Sequence, residues 1–562
     1  MSAGHVPLPP PRPALKVCVV VPARDEEALI GSCLRSLAEQ EGISFAEFEV
    51  LLVLDRCTDA TEQRALEVAA EYPDLCLYSL EGPGRGAGHA RRVGMEEARG
   101  RLMSLDRPNG LIASTDADTI VASNWLSVQL EAAARGAKAI GGHIELRDDV
   151  DLPRGVSGWR EEQGRLRQSE MLSPPGLDDE PRARTEHWRF SGASLALTAV
   201  TYQEIGGLEP RAALEDEYLE RTLESRGVPI ERPLAVRVAT SSRLVGRAKR
   251  GLARDLALAS WVRNNTYDAH DFDPDNLLEL KLSSKTSVSA VITTRGKGRG
   301  TAALLDALGP LAEAGLIDEM IVLHPEKSEN PPNLPTGARV RVYRDTDLMP
   351  GFGPVRGYGD ALWRGVSAAG GEILLFLDPS VPDPGGRRTL GLLGPLLSRR
   401  DLRFVKGFSA EPDGGLATGT RDLDELLARP LINVYHPELA GFVEPLSPEF
   451  AARRTLLSSL PFPAGYGAAL SLLLDAANTA GLPALAQTQL HPRPAPDVPL
   501  PDLSEAAYAI LVAATARAHG DEDLDKHAPG PLFLPLPARV AGPTGFTQRR
   551  VAIEERPPLD SL

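Results

Sequence analysis

Short, unbroken runs of apolar and β-branched residues alternate along the chain with segments whose apolar residues recur every three or four positions. The runs Val17–Val21 and Val50–Leu54 lack the alternation of half-exposed strands, so they predict strands buried on both faces. The segment between them has the helical spacing of Leu29, Ile30, Cys33, Leu34 and Leu37. This succession predicts an α/β fold with mixed, mostly parallel sheets flanked by helices.

Acidic residues follow the predicted strands at their carboxyl ends, the edge where open α/β sheets bind ligands. Asp25, Glu26 and Glu27 follow the first run, and Asp55 follows the second. The simplest explanation of Asp25, Glu26 and Glu27 is favourable charge at a helix N-terminus. A carboxylate at the position of Asp55 can accept hydrogen bonds from a ribose hydroxyl or a base N–H.

The run Leu111–Ser114 ends in Asp116 and Asp118, which are separated by one residue. Residues two apart on a strand point the same way, so both carboxylates are expected to face one spot. Hard divalent cations prefer such oxygen ligands and can hold a diphosphate as well. The alternative explanation of Asp-x-Asp is a solvated turn.

A glycine- and arginine-rich segment spans residues 82–94 and contains Arg85, Arg91 and Arg92. Its glycines permit close backbone approach and its arginines supply positive charge, so it resembles a phosphate-binding loop loosely. A mobile surface loop that caps a helix is equally compatible with this composition.

Three further segments complete the first half. Residues 148–186 predict a long irregular insertion, which in a compact domain is usually functional or disordered. Glu215 and Asp216 begin a predicted helix, where they serve either chemistry or helix-terminal charge. Arg243 and Arg247 lie in a basic cluster at 241–251, which is either a phosphate contact or a solvated loop.

The strand pattern begins again in the second half, with Val288–Ile292, Met320–Leu323 and Ile373–Leu377 followed by Asp378. The two halves therefore predict two similar α/β units offset by about 265 residues. The predicted organisation is a flexible arm at 1–14, a first domain at 15–270, a linker at 271–286, a second domain at 287–518 and a tail at 519–562.

The composition restricts the classes of function. The chain of 562 residues has a formal net charge of -16, which argues against a general nucleic-acid binder. Its four cysteines form no Cys-x-x-Cys pair, and Cys18 and Cys33 are expected to be buried thiols of a reducing compartment. Without a predicted signal peptide or membrane span, the expectation is a soluble, cytoplasmic protein.

Residues 15 to 260 resemble the catalytic domain of family-two glycosyltransferases with a GT-A fold. The motifs occur in that family's order: Pro22 to Glu27, Asp55, the segment 82–94, Asp116-Ala-Asp118, the turn Gly192-Ala-Ser194, and Glu215-Asp216. The turn departs from the family at Ser194, where Asn is common.

The resemblance implies a role for each matching residue. Donor binding would fall to Pro22, Glu26, Asp55, Arg85 and Asp116. Asp118 would hold Mg²⁺ or Mn²⁺ against the diphosphate, Asp216 or its neighbour Glu215 would be the general base, and Arg243 and Arg247 would contact phosphate or acceptor. The implied reaction moves a hexosyl group from a UDP- or GDP-sugar to a hydroxyl of a small molecule or glycolipid, with inversion.

Residues 355 to 500 resemble glucosyl-3-phosphoglycerate synthases, which are also GT-A enzymes. The matching stretches include Ala361–Trp363, Phe404–Phe408, Glu425–Pro430, Pro437–Phe442 and Leu460–Gly467.

The chemical positions of this half are altered. Residues 293–298 (Thr-Thr-Arg-Gly-Lys-Gly) replace Pro22 to Glu27, and His324 replaces Asp55. The Asp-x-Asp becomes Asp378-Pro379-Ser380, and the acceptor loop reads Asp422-Leu423-Asp424. The family's metal-binding His falls on Ala495, with His491 nearby. The second domain is therefore expected to be a non-catalytic GT-A domain that shapes the acceptor cleft or forms a homodimer. The alternatives are glucosyl-3-phosphoglycerate synthesis in this domain and a binding scaffold without catalysis.

Overall fold

The computed structural model describes residues 8–147, 185–246, 251–294, 300–325, 339–409, 420–490, 500–519, 532–535 and 546–562. These residues form two compact units, Met1–Ser260 (unit 1) and Trp261–Leu562 (unit 2). The division falls before the predicted boundary at residue 270. Arg247, His491, Ala495 and most of the predicted insertion at 148–186 lie outside the described residues.

Unit 1 is built on a seven-stranded sheet in the order β3-β2-β1-β4-β8-β6-β9. All neighbouring strands are parallel except β8, which is antiparallel to both β4 and β6. The strands are Val17–Ala23 (β1), Phe48–Leu54 (β2), Leu77–Glu81 (β3), Leu111–Ser114 (β4), Ala139–Gly141 (β6), Leu195–Thr198 (β8) and Ile230–Glu231 (β9). The predicted mixed, mostly parallel sheet is confirmed for this unit.

Helices cover both faces of this sheet, which explains why its central strands are continuously apolar. Val17, Val19 and Val21 pack into one core cluster, while Cys18 and Val20 pack into another. The helices of unit 1 are Ile30–Ala38 (α1), Thr61–Glu71 (α2), Ala87–Ser104 (α3), Trp125–Ala134 (α4), Ala199–Glu204 (α5), Glu215–Ser225 (α6) and Leu252–Asn265 (α7), the last of which crosses the boundary between the units.

A second, three-stranded sheet in the order β5-β10-β7 completes unit 1. Its strands are Thr119–Val121 (β5), His143–Leu146 (β7) and Arg237–Thr240 (β10). Because β5 begins directly after Asp118 and β10 ends shortly before Arg243, this sheet brings the two residues together.

Unit 2 contains an eight-stranded sheet in the order β11-β19-β16-β17-β15-β12-β13-β14. Its strands are Thr266–Asp268 (β11), Val288–Thr293 (β12), Glu319–His324 (β13), Val340–Arg344 (β14), Ile373–Leu377 (β15), Phe404–Ser409 (β16), Phe450–Arg453 (β17) and Leu485–Leu490 (β19). Apart from the edge strand β11, the order repeats that of unit 1, with β17 as the one strand antiparallel to its neighbours within this sheet. The described residues of unit 2 thus carry the predicted repeat of the sheet.

The helices of unit 2 cover this sheet in the same manner. They are Pro274–Ser284 (α8), Thr301–Glu313 (α9), Tyr358–Ala368 (α10), Arg387–Ser398 (α11), Thr420–Leu423 (α12), Arg429–Tyr435 (α13), Arg454–Ser458 (α14), Ala468–Ala480 (α15) and Leu500–His519 (α16). Short strands lie at Phe462–Pro463 (β18), Leu532–Pro535 (β20), Phe546–Arg549 (β21) and Glu555–Arg556 (β22).

The predicted linker at 271–286 is wrong, because most of it is helix α8. The Asp273 side chain accepts hydrogen bonds from the backbone N–H groups of Asp275 and Asn276, and Pro274 occupies the first helical turn. Asp before Pro is a helix-start signal, and Leu277 and Lys281 bury one side of the helix in unit 2.

The predicted tail at 519–562 is wrong for its last residues. Strand β22 pairs with β18, and Arg556 donates two hydrogen bonds to the fully buried Asp360. The Arg556–Asp360 contact joins residues 196 positions apart, and the paired strands are also far apart along the chain, so local composition carries no sign of either contact.

The flexible arm predicted at 1–14 is held in place over its described part. Arg101 donates to the Pro9 carbonyl at 2.9 Å, and Arg107 donates to the Pro13 carbonyl at 2.9 Å.

All four cysteines are free thiols, and the predicted burial of Cys18 and Cys33 is confirmed. Among the described residues, no helix is long and apolar enough to cross a membrane.

Candidate active site

The carboxyl ends of β1, β2 and β4 lie side by side, because the three strands are parallel and adjacent. Glu26 follows β1, Asp55 follows β2, and Asp116 and Asp118 follow β4. The chain leaves β1 towards β2 on one side and β4 lies on the other, which makes this edge the point where the strand order reverses. The structure therefore brings these predicted site residues to one edge.

A buried arginine on α3 joins this edge to the start of α6. The Arg91 guanidinium donates to Asp116 Oδ1 at 2.6 Å and, through Nε, to Glu215 Oε1 at 3.1 Å. It also donates to the Ser114 hydroxyl and to the Gly192 carbonyl, the latter at 3.1 Å. We call these five residues the Arg91 network.

The Arg91 network sets one guanidinium against two carboxylates, those of Asp116 and Glu215. Burial acts to lower the pKa of Arg91, but Asp116 and Glu215 outweigh it and hold that pKa above its ordinary value. Burial raises the pKa of Glu215, and Arg91 opposes this rise. Glu215 is thus enclosed against a guanidinium, which favours a supporting role over that of a base.

Asp216, the other acidic residue at the start of α6, has a different environment. Its Oδ2 accepts a hydrogen bond from the Gly192 backbone N–H at 2.8 Å, and its Oδ1 accepts one from the Glu217 N–H at 3.0 Å. Because Gly192 also binds Arg91 through its carbonyl, Asp216 is held next to the Arg91 network.

A second arginine links Glu26 with Asp118. Arg243 donates to both carboxylate oxygens of Glu26 at 3.0 Å, and its Nη2 lies 2.8 Å from Asp118 Oδ2. Contacts with solvent remain, since 28% of the Arg243 side chain is exposed. Glu26, predicted to bind the donor, and Asp118, predicted to bind the metal, therefore pair with the same arginine side chain.

The carboxylates at this edge exceed the positive charge beside them. Burial, followed by the charge of Asp116, raises the pKa of Asp118 to about 6, although Arg243 opposes the rise. A divalent cation would relieve that repulsion, and carboxylate oxygens are the ligands that Mg²⁺ and Mn²⁺ prefer. The residues present therefore fit a cation held by Asp118 and Asp116.

Asp55 organises the glycine-rich loop. Its carboxylate accepts hydrogen bonds from the backbone N–H groups of Gly84 and Gly86, the latter at 3.0 Å. Gly86 has φ +106°, and a Cβ there would lie 2.8 Å from the Ala212 carbonyl oxygen. The loop is thus packed in place, which favours the binding-loop interpretation over a mobile surface loop.

The loop arginines have separate surroundings. Arg85 is exposed and forms no ion pair with the described residues. Arg92 donates to the Leu208 carbonyl at 2.8 Å, which makes it a structural contact.

The other acidic residues after β1 hold the loop before α2. Asp25 Oδ1 accepts from the Thr58 N–H at 2.6 Å, and Glu27 Oε2 accepts from the Ala60 N–H at 3.0 Å. Pro22 is buried within β1, opposite Val53 of β2. Of the acidic residues after β1, Glu26 is the one that pairs with Arg243.

Ser194 turns inward at the position where the family often has Asn. Its hydroxyl accepts a hydrogen bond from the Trp125 indole N–H at 2.9 Å and is fully buried. It therefore fixes α4 against β8.

The importance of Arg91 was underestimated from sequence, where it appears as one of three loop arginines. The sequence does contain a sign that Arg91 is buried, because it shares a helix face with the apolar and small residues Gly94, Met95, Ala98 and Leu102. Ser114 and Gly192 were not singled out as its partners because their contacts depend on the packing of α3 against β4 and β8.

The matching edge of unit 2 has different side chains. Asp378 follows β15, and its Oδ1 accepts from the Ser380 N–H at 2.9 Å and the Ser380 hydroxyl at 2.6 Å. His324 ends β13 and is buried. The Asp378 carboxylate is thus hydrogen-bonded to Ser380, the residue that replaces the second aspartate of the Asp-x-Asp motif.

The counterpart of the Arg91 network is absent from the described residues of unit 2. Gly94 of α3 packs against Val20 and Val53, and Gly365 of α10 packs in the same way against Val291 and Leu323. This correspondence places Leu362 at the position of Arg91. Helix α15, which follows β17 and α14 as α6 follows β8 and α5, begins with Ala468-Ala469 where α6 begins with Glu215-Asp216.

Comparison with known proteins gives a family match in unit 1 and relatives among the glucosyl-3-phosphoglycerate synthases. A family model described as Glycosyl transferase family 2 matches residues 18–181. Glucosyl-3-phosphoglycerate synthase of Mycobacterium tuberculosis is 34% identical over 248 residues, which are 43% of this chain and 76% of that protein. The synthase of Petrotoga mobilis is 32% identical over 223 residues, 38% of this chain and 69% of that protein.

Solved structures of a glucosyl- and a mannosyl-3-phosphoglycerate synthase match about half of the chain. The M. tuberculosis synthase in complex with Mn²⁺ and UDP-glucose has a TM-score of 0.44 and 31% identity, covering 52% of this chain and 95% of that one. The same enzyme has been solved with Mg²⁺ and UDP. Mannosyl-3-phosphoglycerate synthase from Rubrobacter xylanophilus has a TM-score of 0.47 and 32% identity, covering 54% and 99%.

The chain is therefore a nucleotide-sugar-dependent glycosyltransferase with a mixed α/β fold. More particularly, it belongs to the glucosyl-3-phosphoglycerate synthase family of these enzymes.

Proposed function

We propose that unit 1 is the catalytic unit and transfers a sugar from a nucleoside diphosphate to a hydroxyl acceptor with inversion. The observation that carries this proposal is the convergence of two acidic groups on the Arg91 network. Asp116, next to Asp118, lies on one side of the guanidinium, and Glu215, next to Asp216, lies on the other. An inverting transfer needs a centre for the leaving diphosphate and a base for the acceptor.

The donor side would consist of Glu26, Asp55, Asp116 and Asp118. A Mg²⁺ or Mn²⁺ ion at Asp118 and Asp116 would neutralise charge that develops on the leaving diphosphate. Arg243 contacts Asp118, the proposed cation ligand, and would contribute positive charge on the diphosphate side. Arg85, exposed on the ordered glycine loop, is a second phosphate contact in this proposal.

Asp216 is the base in this proposal. The Gly192 and Glu217 N–H groups orient its carboxylate, and a base held in this way can accept the proton of the attacking hydroxyl. Glu215 supports it through Arg91.

Unit 2 is proposed to be a second GT-A domain without transferase activity. Leu362, Ala468, Ala469 and Ser380 stand at the positions of Arg91, Glu215, Asp216 and Asp118, so among these described positions only Asp378, the counterpart of Asp116, keeps its carboxylate. A role in shaping the acceptor cleft, or in forming a homodimer, stays a prediction.

The relatives favour 3-phosphoglycerate as the acceptor to test first, since their names carry it. The acceptor loop expected in unit 2 does not support synthesis there, because Asp424 is buried and accepts a hydrogen bond from the Leu446 N–H at 2.8 Å. A glycolipid acceptor remains the alternative for unit 1.

The cation assignment is tested by thermal stability. UDP or GDP should raise the melting temperature more with Mn²⁺ or Mg²⁺ than with EDTA, because the cation and the nucleotide bind the folded chain together. Asp118→Ala should lose that extra shift but keep the melting temperature of the unliganded chain within a few degrees. Equal shifts in both proteins would show that the cation binds elsewhere.

A further inference from the structure

We infer that Arg91 is a positioning residue that holds the donor carboxylate Asp116 and the base Asp216 at a fixed separation. This inference rests on the proposed function of unit 1. It assigns the coupling of the two sites to one side chain that itself contacts no substrate, since Arg91 is 1% exposed.

Each nitrogen of the Arg91 guanidinium donates to a different part of the site. Nη2 donates to Asp116, Nε donates to Glu215, and Nη1 donates to both Ser114 and Gly192. A planar group with donors in fixed directions sets the relative positions of its partners, which the single point charge of a lysine does not.

Two glycines allow the backbone to approach Arg91 and Glu215 closely. A Cβ at Gly192 would lie 2.4 Å from Arg91 Nη2, and a Cβ at Gly88 would lie 2.8 Å from Glu215 Cβ. Gly192 thus has close contact with the guanidinium, and its N–H is the donor to Asp216 at 2.8 Å. A displacement of Arg91 would therefore shift Asp216 through Gly192, which is hydrogen-bonded to both residues.

Stabilisation of the fold is the alternative role for such a buried arginine. Comparison with unit 2 does not favour this alternative. The same strand order and the same helix-to-sheet contact, at Gly365, occur there with Leu362 in place of Arg91. The arginine is present in the unit that has the acidic groups at both ends of the site, and it is absent from the described counterpart that lacks Glu215 and Asp216.

The consequence for the reaction concerns geometry in the transition state. A base and a leaving group must be aligned through the anomeric carbon, and a displacement of about 1 Å can cost about 100-fold in rate. Loss of Arg91 should therefore lower turnover strongly and change nucleotide binding much less.

The test compares Arg91→Lys and Arg91→Met with Arg101→Met as a matched control. Arg101 lies on the same helix, about 15 Å further along by the helical rise. It is buried and pairs with Glu49, which is not a proposed site residue. The two readouts are the Kd of UDP with Mn²⁺, and the release of UDP from UDP-glucose with and without 3-phosphoglycerate. Melting temperature is recorded for each variant.

Both Arg91 variants should lower kcat by about 100-fold while the Kd of UDP changes by less than about tenfold. The control should lower the melting temperature and leave kcat per folded molecule unchanged. If Arg91→Lys retained the wild-type kcat, or if both arginine positions lowered kcat equally, positioning by Arg91 would be refuted.

Glu215→Gln provides a milder variant if the Arg91 variants fail to fold, because glutamine keeps an acceptor for Nε. It should lower kcat by about tenfold while the Kd of UDP changes by less than about tenfold. Where Arg91→Lys folds, adding Glu215→Gln to it should cause no further loss of kcat, since residues that act as one unit are not additive. Additive losses would contradict the coupling. A wild-type chain that neither binds UDP nor releases it from UDP-glucose would refute the proposed donor instead, which separates the two failures.

Discussion

At the scale of single residues, unit 1 assigns different tasks to neighbouring carboxylates through their partners. Glu215 is enclosed against Arg91, whereas Asp216 receives two backbone hydrogen bonds and pairs with no arginine among the described residues. Sequence order alone leaves the two interchangeable. Their hydrogen bonds favour Asp216 as the base.

We predict that Asp216→Asn binds UDP with Mn²⁺ normally and lowers transfer by about 100-fold or more, the range of general acid–base catalysis. The amide keeps the size of the side chain and its carbonyl acceptor but does not accept the hydroxyl proton. UDP release measured in the presence of acceptor gives the rate, and calorimetry gives the affinity. A near-normal rate would place the base at another residue.

The carboxylates of the site could be predicted from the sequence, but their arginine partners could not. Asp116, Asp118 and Glu26 were predictable, because each follows an apolar run at a strand end. Their pairing with Arg91 and Arg243 was not, since those contacts join residues 25 to 217 positions apart. A charged residue next to glycines is usually exposed, so the burial of Arg91 depends on packing that no local pattern describes.

At the scale of elements, the glycine-rich loop depends on backbone shape. Gly86 combines φ +106° with close contact to the Ala212 carbonyl, so a side chain there adds strain and overlap. Residue Gly100 of α3 is exposed, and a Cβ there would meet nothing within 4 Å.

We therefore predict that Gly86→Ala destabilises unit 1 by about 1–3 kcal/mol, the usual cost of a disfavoured backbone region. It should also weaken UDP binding, because the loop is held by Asp55. Gly100→Ala should instead stabilise the chain by up to about 1 kcal/mol through helix propensity. Melting curves of both variants provide the check, and a Gly86→Ala chain as stable as wild type would mean that the loop is free to move.

The strands β1, β2, β4, β12, β13 and β15 could be predicted because burial on both faces leaves a continuous apolar run. Strands β5, β7 and β10, of three or four residues each, are too short for a periodic signal. The C-terminal strand β22 depends on partners far along the chain and has no local signature.

This last element gives a prediction for unit 2. Asp360 is fully buried between Arg364 and Arg556, so Arg556→Met should leave a partly unpaired carboxylate and destabilise unit 2 by about 3 kcal/mol. Arg550→Met is the control, because that side chain is 91% exposed and its ion pair contributes little. Equal melting temperatures for the two variants would show that the C-terminal segment is dispensable.

At the scale of the whole molecule, one chain contains two sheets with the same strand order and unequal chemistry. Unit 1 keeps Asp116 and Asp118, the Arg91 network and Asp216. Unit 2 keeps the packing of its core, but Asp378 is bound by Ser380, and its α15 begins with two alanines. We therefore propose that all turnover takes place in unit 1.

The most direct test compares Asp116→Ala with Asp378→Ala, the matching carboxylates of the two units. The measurement is UDP release from UDP-glucose by each full-length variant, with 3-phosphoglycerate present and absent. Asp116→Ala should abolish release and Asp378→Ala should retain the wild-type rate. Loss of activity in Asp378→Ala together with an active Asp116→Ala would make unit 2 the enzyme and contradict the assignment.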